Sequence, residues 1–250
     1  MAAGPTIPIG EYAERRQNAA ALIGEAGYDV LVGNAHESDA SVVRYFTRYW
    51  PLFEMGGVAI APSGASALMV GMESGEYAKY RSVVDNIHLM PEYRETADPV
   101  YPGIAGSSYA DVFESIGVAD PKRIGVAGWL CTNMAMYEGL RSAYPDAEIV
   151  NADELTATLR AHKSAAELAC LREGFRLGEL ALESMLQAVK PGMTELELAG
   201  IALATLYEQG AEGEAHTVYS FGGVKTSNGI SRSDHRRFES GEIVQINVGG

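Results

Sequence analysis

The second half of the chain contains two stretches in which apolar residues recur with the spacing of an α-helix. The first follows Ser164 and continues to the helix-breaking pair Pro191-Gly192, and the second follows Thr194 and ends near Gly210. Each begins with an S/T-x-x-E capping box, in which a hydroxyl and a carboxylate satisfy free N–H groups of the first helical turn. We therefore predict a pair of amphipathic helices. The apolar stripe predicted for the first helix consists of Leu168, Leu171, Phe175, Gly178, Leu182 and Met185.

Shorter apolar runs in the first half of the chain predict β-strands. Two of them, 56–61 and 67–70, flank the turn-forming sequence Pro62-Ser63-Gly64, and this arrangement predicts a hairpin. Strands that alternate with helices favour a mixed α/β (α+β) fold built in layers. The other predicted elements are strands at 29–32, 123–127 and 148–150 and helices at 11–25 and 134–143.

The pattern changes near residue 150. Up to this point short strands alternate with helices, whereas the helix pair and the strand-like segments 215–221 and 243–248 follow it. We predict a first domain over residues 1–150, a linker helix over residues 151–163 and a second domain over residues 164–250.

Composition and charge exclude several classes of function. The hydrophobic fraction of 47% and the charged fraction of 21% are those of an ordinary globular protein. A formal charge of −14 without a basic stripe disfavours nucleic-acid binding. The sequence has neither the pattern of a signal peptide nor an apolar stretch near the ~20 residues that span a bilayer. The two distant cysteines are typical of reduced thiols. We expect a cytoplasmic protein with no nucleic-acid or membrane partner.

Four motifs occur in a characteristic order in the second half of the chain. They are Arg160-x-x-Lys163-Ser164-x-x-Glu167-Leu168, the run Val189–Ala199, Gln209-Gly210-Ala211 and the run Phe238–Gly249. Together they resemble the entry into the "pita-bread" domain of the creatinase, prolidase and Xaa-Pro aminopeptidase family (peptidase M24). The first half, with Tyr45-Phe46-Thr47 ahead of Gly56–Pro62, is similar to the N-terminal domain of this family. The resemblance implies a creatinase-type N-terminal α/β domain followed by a catalytic domain that is incomplete at its C-terminal end.

The resemblance also implies an activity. Members of the family hydrolyse C–N bonds, which are peptide bonds before proline in the peptidases and the amidino group in creatinase. They are usually homodimers, and the peptidases use two divalent metals held by two Asp, one His and two Glu side chains. On this basis we expect a hydrolase that acts on a small molecule or a peptide and forms a homodimer when complete.

Two positions depart from the pattern of the metallopeptidases. The first metal-ligating aspartate belongs in a D-x-G motif, which here is Asn247-Val248-Gly249. An amide is neutral and cannot bridge two cations as a carboxylate does. The substrate-contacting histidine of the family falls on Ile230, and the remaining ligands would lie beyond Gly250. We therefore predict no metal cofactor, a metal-independent C–N hydrolase and an inactive fragment.

Two alternatives to this prediction stay open. One is a metal-dependent Xaa-Pro aminopeptidase or dipeptidase with two divalent metals such as Mn, whose ligands are supplied differently. The other is a non-catalytic homologue that binds a small molecule or a partner through the inherited cleft.

Five side chains are candidates for the substrate pocket. Asn247 occupies the altered metal position, and His216 points either into the pocket or into the core. His235 could replace the missing histidine only if the alignment contains a gap. Arg232 could bind a carboxylate, although arginines in such loops are commonly solvated. Phe53 matches an aromatic residue that packs on substrate across the dimer in creatinase, and it could equally anchor an apolar loop in a core or dimer contact.

Overall fold

The computed structural model describes residues 4–95 and 105–250. It divides into two compact units, one formed by Pro8–His162 and the other by Lys163–Gly250 with the described residues before Pro8. The boundaries 1–150, 151–163 and 164–250 stay predictions. No helix in the described part of the chain is both long enough and apolar enough to cross a membrane.

The first unit is built around a mixed β-sheet. In the described residues its strands are β1 (Val30–Ala35), β2 (Gly56–Ile60), β3 (Ser66–Val70), β4 (Ile87–Leu89), β5 (Arg123–Ala127) and β6 (Glu148–Asn151). The order across the sheet is β4-β3-β2-β1-β5-β6. The pairs β1–β2 and β2–β3 are antiparallel, and the second of these is the predicted hairpin. The remaining neighbours are parallel.

Helices cover both faces of this sheet, so the strand β1 is buried on both sides. Val30 and Val32 pack with one group of helices, and Leu31 and Ala35 pack with the other. The first group contains α4 (Tyr109–Ser115) and α5 (Met134–Ala143), and the second contains α1 (Ile9–Glu25), α2 (Ser41–Thr47), α3 (Gly75–Arg81) and α6 (Asp153–Ala161). This layered arrangement confirms the predicted mixed α/β fold.

The second unit contains the predicted helix pair and a two-stranded ribbon. Its elements are α7 (Ala165–Ala188), α8 (Glu195–Glu208), β7 (Tyr219–Gly222) and β8 (Val244–Asn247). Both capping boxes form as predicted. The hydroxyls of Ser164 and Thr194 accept hydrogen bonds from the backbone N–H groups of Glu167 and Glu197. The carboxylates of the two glutamates accept in turn from the backbone N–H groups of Ser164 and Thr194. The strand predicted at 215–221 begins later, at Tyr219.

Most of the apolar residues that recur at helical spacing along α7 are exposed. Leu168, Leu171 and Leu182 are exposed, and Phe175 is 75% exposed. The buried row consists instead of Leu177, Ala181 and Met185, which pack against Leu198, Ala202 and Leu206 of α8. The helix carries apolar residues on more than one side, so spacing alone does not determine which row is buried.

A chain of hydrogen bonds, fully buried at its two tyrosines, runs through the first unit. The Tyr109 hydroxyl is 3.2 Å from that of Tyr93, which donates to Asn34 Oδ1 at 2.7 Å. Asn34 Nδ2 donates to Thr132 Oγ1 at 2.9 Å, and this hydroxyl donates to the Gly128 carbonyl at 3.0 Å. Burial raises the pKa of both tyrosines, which keeps them protonated as donors. Asn34 therefore links three otherwise separate segments by satisfying a donor on one side and an acceptor on the other.

Replacing this amide tests the contribution of the buried chain. Asn34→Leu removes the acceptor of the Tyr93 hydroxyl and the amide donor to Thr132 Oγ1, so we expect the free energy of unfolding to fall by about 2–4 kcal/mol in a urea titration. Asn228→Leu, in an exposed loop, is the control and should change it by less than about 0.5 kcal/mol. Equal effects of the two substitutions would show that the buried chain has no special importance.

Candidate functional site

The two faces of the β7–β8 ribbon have different roles. The strands pair antiparallel, with Tyr219 opposite Asn247 and Phe221 opposite Gln245. Side chains alternate between the faces of a strand. The face formed by Val218, Val244, Ile246 and Val248 packs against the helices α7 and α8. Tyr219, Phe221, Gln245 and Asn247 therefore lie on the face directed away from the helices.

Asn247 and Tyr219 form a hydrogen-bonded pair on this second face. The amide Nδ2 of Asn247 donates to the hydroxyl oxygen of Tyr219 at 2.6 Å. The ring of Tyr219 stacks on the buried ring of Phe221, with centroids 5.4 Å apart and an interplanar angle of 19°. The hydroxyl of Tyr219 is thus held from the neighbouring strand, while its ring is held by stacking within its own strand.

His216 lies next to this pair and is exposed to solvent. Its ring centroid is 6.4 Å from that of Tyr219. Its Nδ1 lies 3.1 Å from the carbonyl oxygen of Thr217. A carbonyl can only accept, so Nδ1 carries the hydrogen and Nε2 of the neutral ring is left as an acceptor. The backbone N–H of Ala215 donates to the Gly249 carbonyl at 3.1 Å, which ties this segment to the residues after β8.

A cluster of charged groups around the buried Glu195, at the start of α8, contacts the ribbon. The carboxylate of Glu195 is fully buried and accepts from Lys225 Nζ at 2.5 Å. It also accepts from the backbone N–H groups of Gly222 and Asp234, both at 3.1 Å. Lys225 Nζ donates further to the Asp234 carboxylate and to the carbonyl of Arg232, each at 2.9 Å. The cluster joins the helix, the strand β7 and the loop that leads to β8.

The charges of this cluster stabilise one another. Burial acts to lower the pKa of Lys225, but its hydrogen bonds to Glu195 and Asp234 outweigh burial and raise it. The backbone N–H of Arg236, and then the Lys225 ammonium, lower the pKa of Asp234. Arg236 also binds both oxygens of Glu242 and lowers its pKa. The loop is therefore fixed by ionised groups at neutral pH.

The loop residues predicted for the pocket are exposed in the structure. Ile230, the residue predicted to fall at the family's histidine position, is 83% exposed. The backbone carbonyl of Arg232 accepts a hydrogen bond from Lys225, while the side chains of Arg232 and His235 face solvent. In the part of the chain that the structure describes, neither side chain hydrogen-bonds to Asn247. Among the five predicted residues, those linked by contacts are His216 and Asn247, through Tyr219.

Phe53 belongs to the first unit, where it is 67% exposed with a backbone φ of +68°. A positive φ is uncommon for a bulky residue and costs conformational energy. The following residue, Glu54, is buried, and its Oε2 accepts from the N–H of Glu73 and from the N–H and hydroxyl of Ser74. These bonds anchor the loop so that it presents the Phe53 ring to solvent. The role of Phe53 in a substrate pocket stays a prediction.

The chemistry of position 247 does not fit a divalent metal. The amide of Asn247 offers one neutral oxygen, and its nitrogen is engaged by Tyr219. Hard cations favour several anionic oxygens. Within residues 4–95 and 105–250, no three side chains of His, Cys, Asp or Glu are grouped as a metal site would require. The described residues thus offer hydrogen bonds and a histidine acceptor at this face.

Comparison with known proteins establishes the family. The description "Creatinase/Prolidase N-terminal domain" matches residues 15–162, and "Metallopeptidase family M24" matches residues 169–250. The chain belongs to the M24 creatinase/prolidase family. This confirms the resemblance seen in the sequence motifs.

Relatives of this M24 family protein include peptidases of known structure. The chain is 24% identical over 228 residues to "Uncharacterized peptidase YqhT" of Bacillus subtilis (strain 168), covering 91% of this chain and 58% of that protein. It resembles the Xaa-Pro dipeptidase from Bacillus anthracis (TM-score 0.67, 20% identity, 97% of this chain and 61% of that one). It also resembles the prolidase from Pyrococcus horikoshii OT3 (TM-score 0.72, 17% identity, 94% and 60%). The chain therefore spans about three fifths of the length of these relatives, and at this identity the structures establish the shared fold.

Tyr219 and Glu195 are central to the site and were missed by the sequence reasoning. The signal for Tyr219 was its place in the alternating Tyr219-Ser220-Phe221 segment, because the register of the partner strand places Asn247 opposite it. Glu195 is adjacent to a capping residue and resembles an ordinary acidic residue of a first helical turn. No local pattern indicates that it is buried.

Removing the buried carboxylate should destabilise the second unit. Glu195→Ala leaves the N–H groups of Gly222 and Asp234 without their acceptor and removes one of the three acceptors of Lys225, so we expect a loss of about 3 kcal/mol in the free energy of unfolding. The matched control is Glu208→Ala at the exposed end of the same helix, for which the loss should stay below about 0.5 kcal/mol. Urea unfolding gives the free energies, and hydrogen exchange at the Gly222 amide reports the local effect. Unchanged exchange at Gly222 would contradict this role.

Proposed function

We propose that the complete protein hydrolyses a C–N bond in a small molecule or a peptide, and that it does so without a tightly bound metal at position 247. Membership of the M24 family supports the hydrolase class. The observation that carries the metal-independent part is Asn247, whose amide pairs with Tyr219. In this proposal the face that bears Tyr219 and Asn247 binds the substrate, and His216 accepts a proton from the attacking water through Nε2.

A metal-dependent Xaa-Pro peptidase is the second candidate. It is favoured by the solved structures that share the fold, which include a prolidase, an Xaa-Pro dipeptidase and the X-Pro aminopeptidase from Thermotoga maritima MSB8 (TM-score 0.72, 19% identity, 94% of this chain and 60% of that one). In that case two divalent metals such as Mn would be held by ligands other than Asn247. A non-catalytic homologue that binds a small molecule or partner is the third possibility.

The assembly and location of the complete protein are also proposals. The family resemblance supports a homodimer, and the composition supports a cytoplasmic protein without nucleic-acid or membrane partners. We also propose that these 250 residues are inactive by themselves, because they span only part of the length of the relatives they match.

The decisive experiment compares substrates and metal content in the complete protein. After exhaustive dialysis against EDTA, it is assayed for hydrolysis of alanyl-proline, creatine and other guanidino compounds. We expect turnover of one of these probes to survive dialysis, and elemental analysis to find no stoichiometric metal. Control samples receive Mn²⁺ after dialysis, and they should hydrolyse the probe no faster than the dialysed protein.

The other outcomes distinguish the remaining candidates. Loss of activity on dialysis and its recovery with Mn²⁺ would establish the metal-dependent peptidase and overturn the proposal. Thermal stabilisation by a probe without turnover would establish a binding protein, because a ligand that binds the folded state raises its melting temperature. The oligomeric state of the same sample, measured by sedimentation, tests the homodimer.

His216 provides a sharper test of the proposed chemistry. His216→Gln removes the ring that would accept a proton, so kcat should fall by about 10²–10⁴ with a smaller change in KM. His162→Gln, another exposed histidine, should leave both parameters unchanged. An unaltered kcat in the His216 variant would exclude it as a general base.

A further inference from the structure

We propose that Tyr219 donates a hydrogen bond to a carbonyl or carboxylate oxygen of the substrate, and that Asn247 is the residue that positions its hydroxyl for this contact. This inference rests on the proposed function, because it concerns the same face of the ribbon. It assigns a substrate-binding residue and the type of atom that this residue recognises.

The direction of one hydrogen bond is the first step. A phenol has one hydrogen to donate and an oxygen that accepts. Because Asn247 Nδ2 donates to the oxygen of Tyr219 at 2.6 Å, the phenol's own hydrogen must point elsewhere. Among the residues that the structure describes, it has no acceptor. Tyr219 therefore presents an unused donor on the face directed away from the helices.

The hydroxyl of Tyr219 is held rigidly. Residues directly opposite each other in an antiparallel pair have Cβ atoms about 4.5–5.5 Å apart, so Asn247 reaches the Tyr219 hydroxyl without leaving its strand. Stacking on the buried ring of Phe221 fixes the plane of the phenol. A donor with a fixed position loses little conformational entropy when a ligand binds, which increases affinity.

The surroundings of this donor favour an oxygen acceptor. Within the described ranges, the side chains in hydrogen-bonding or ring contact with Tyr219 are His216, Phe221 and Asn247, and none of these three is acidic. A negatively charged or strongly polar oxygen is therefore not repelled by them. Carbonyl and carboxylate oxygens are the natural acceptors for a phenol donor, and hydrogen bonds to charged acceptors are the stronger ones. The amides, amidino acids and peptides of the proposed substrate class all carry such an oxygen or a carboxylate.

The polarity of Asn247 is the feature that separates this role from simple packing. An asparagine amide can donate to Tyr219 and leave the phenol hydrogen free for a substrate. An ionised aspartate of the same shape can only accept, so it would bind the phenol hydrogen itself. If Tyr219 only packs in the ribbon, either side chain would serve, since both make a hydrogen bond of similar length.

The experiment uses the complete protein in EDTA, with alanyl-proline and creatine as probes and both KM and calorimetric Kd as readouts. Tyr219→Phe keeps the ring and its stacking and removes only the hydroxyl. We expect KM and Kd for the probe that is turned over to rise by about tenfold or more. Tyr207→Phe is the matched control: its hydroxyl lies on the exposed surface of α8, 3.4 Å from Glu214, and its loss should change neither quantity.

The positioning role is tested with an isosteric substitution. Asn247→Asp should reproduce the loss seen in Tyr219→Phe, although the Tyr219 hydroxyl is still present. The double variant should bind no more weakly than either single variant, because both remove the same contact. Circular dichroism and the melting temperature of each variant verify that the fold is retained.

Each result decides the inference. Binding of the probe by Tyr219→Phe at the wild-type level, with wild-type turnover intact, overturns this inference and leaves the proposed function standing. A loss in Tyr219→Phe without a loss in Asn247→Asp overturns the positioning role of Asn247. If the wild-type protein neither binds nor hydrolyses the probes, the proposed function and the inference both fail.

Discussion

The second unit depends on satisfying one buried carboxylate. A charge withdrawn from water is tolerated in a protein only when cationic and N–H partners replace its hydration. Glu195 obtains these partners from the lysine that follows β7 and from backbone groups of β7 and of the loop before β8. Because the partners come from separate segments, satisfying this one group fixes their relative positions. The helix start, the strand and the loop are thus parts of one electrostatic arrangement.

The geometry of the candidate site follows from this arrangement. With β7 anchored to α8, its alternate residues face the helices or face away from them. The antiparallel register then places Asn247 opposite Tyr219, and no loop flexibility enters the position of either side chain. Sites built on paired strands are held more precisely than sites on loops. By contrast, the side chains of Ile230, Arg232 and His235 lie on an exposed loop and point to solvent.

The sequence predicted those parts of the structure that depend on local signals. The capping boxes at Ser164 and Thr194 and the hairpin around Pro62 are recognisable because neighbouring residues determine them. The buried row of α7 does not follow from helical spacing, because it depends on which side meets α8. For the site, the motif around Asn247 was recognisable, whereas Tyr219 becomes significant only through its partner Asn247, 28 residues later in the chain. Burial of Glu195 likewise depends on segments that are distant in sequence.

The pairing of Asn247 with Tyr219 has a consequence for how enzymes of this fold can diverge. Asparagine and aspartate have nearly the same shape, and their codons differ by a single base. An exchange between them at the end of β8 would leave the backbone in place and reverse the direction of the hydrogen bond across the ribbon. A point mutation at this position therefore exchanges a hydrogen-bond donor for a carboxylate while the scaffold stays unchanged.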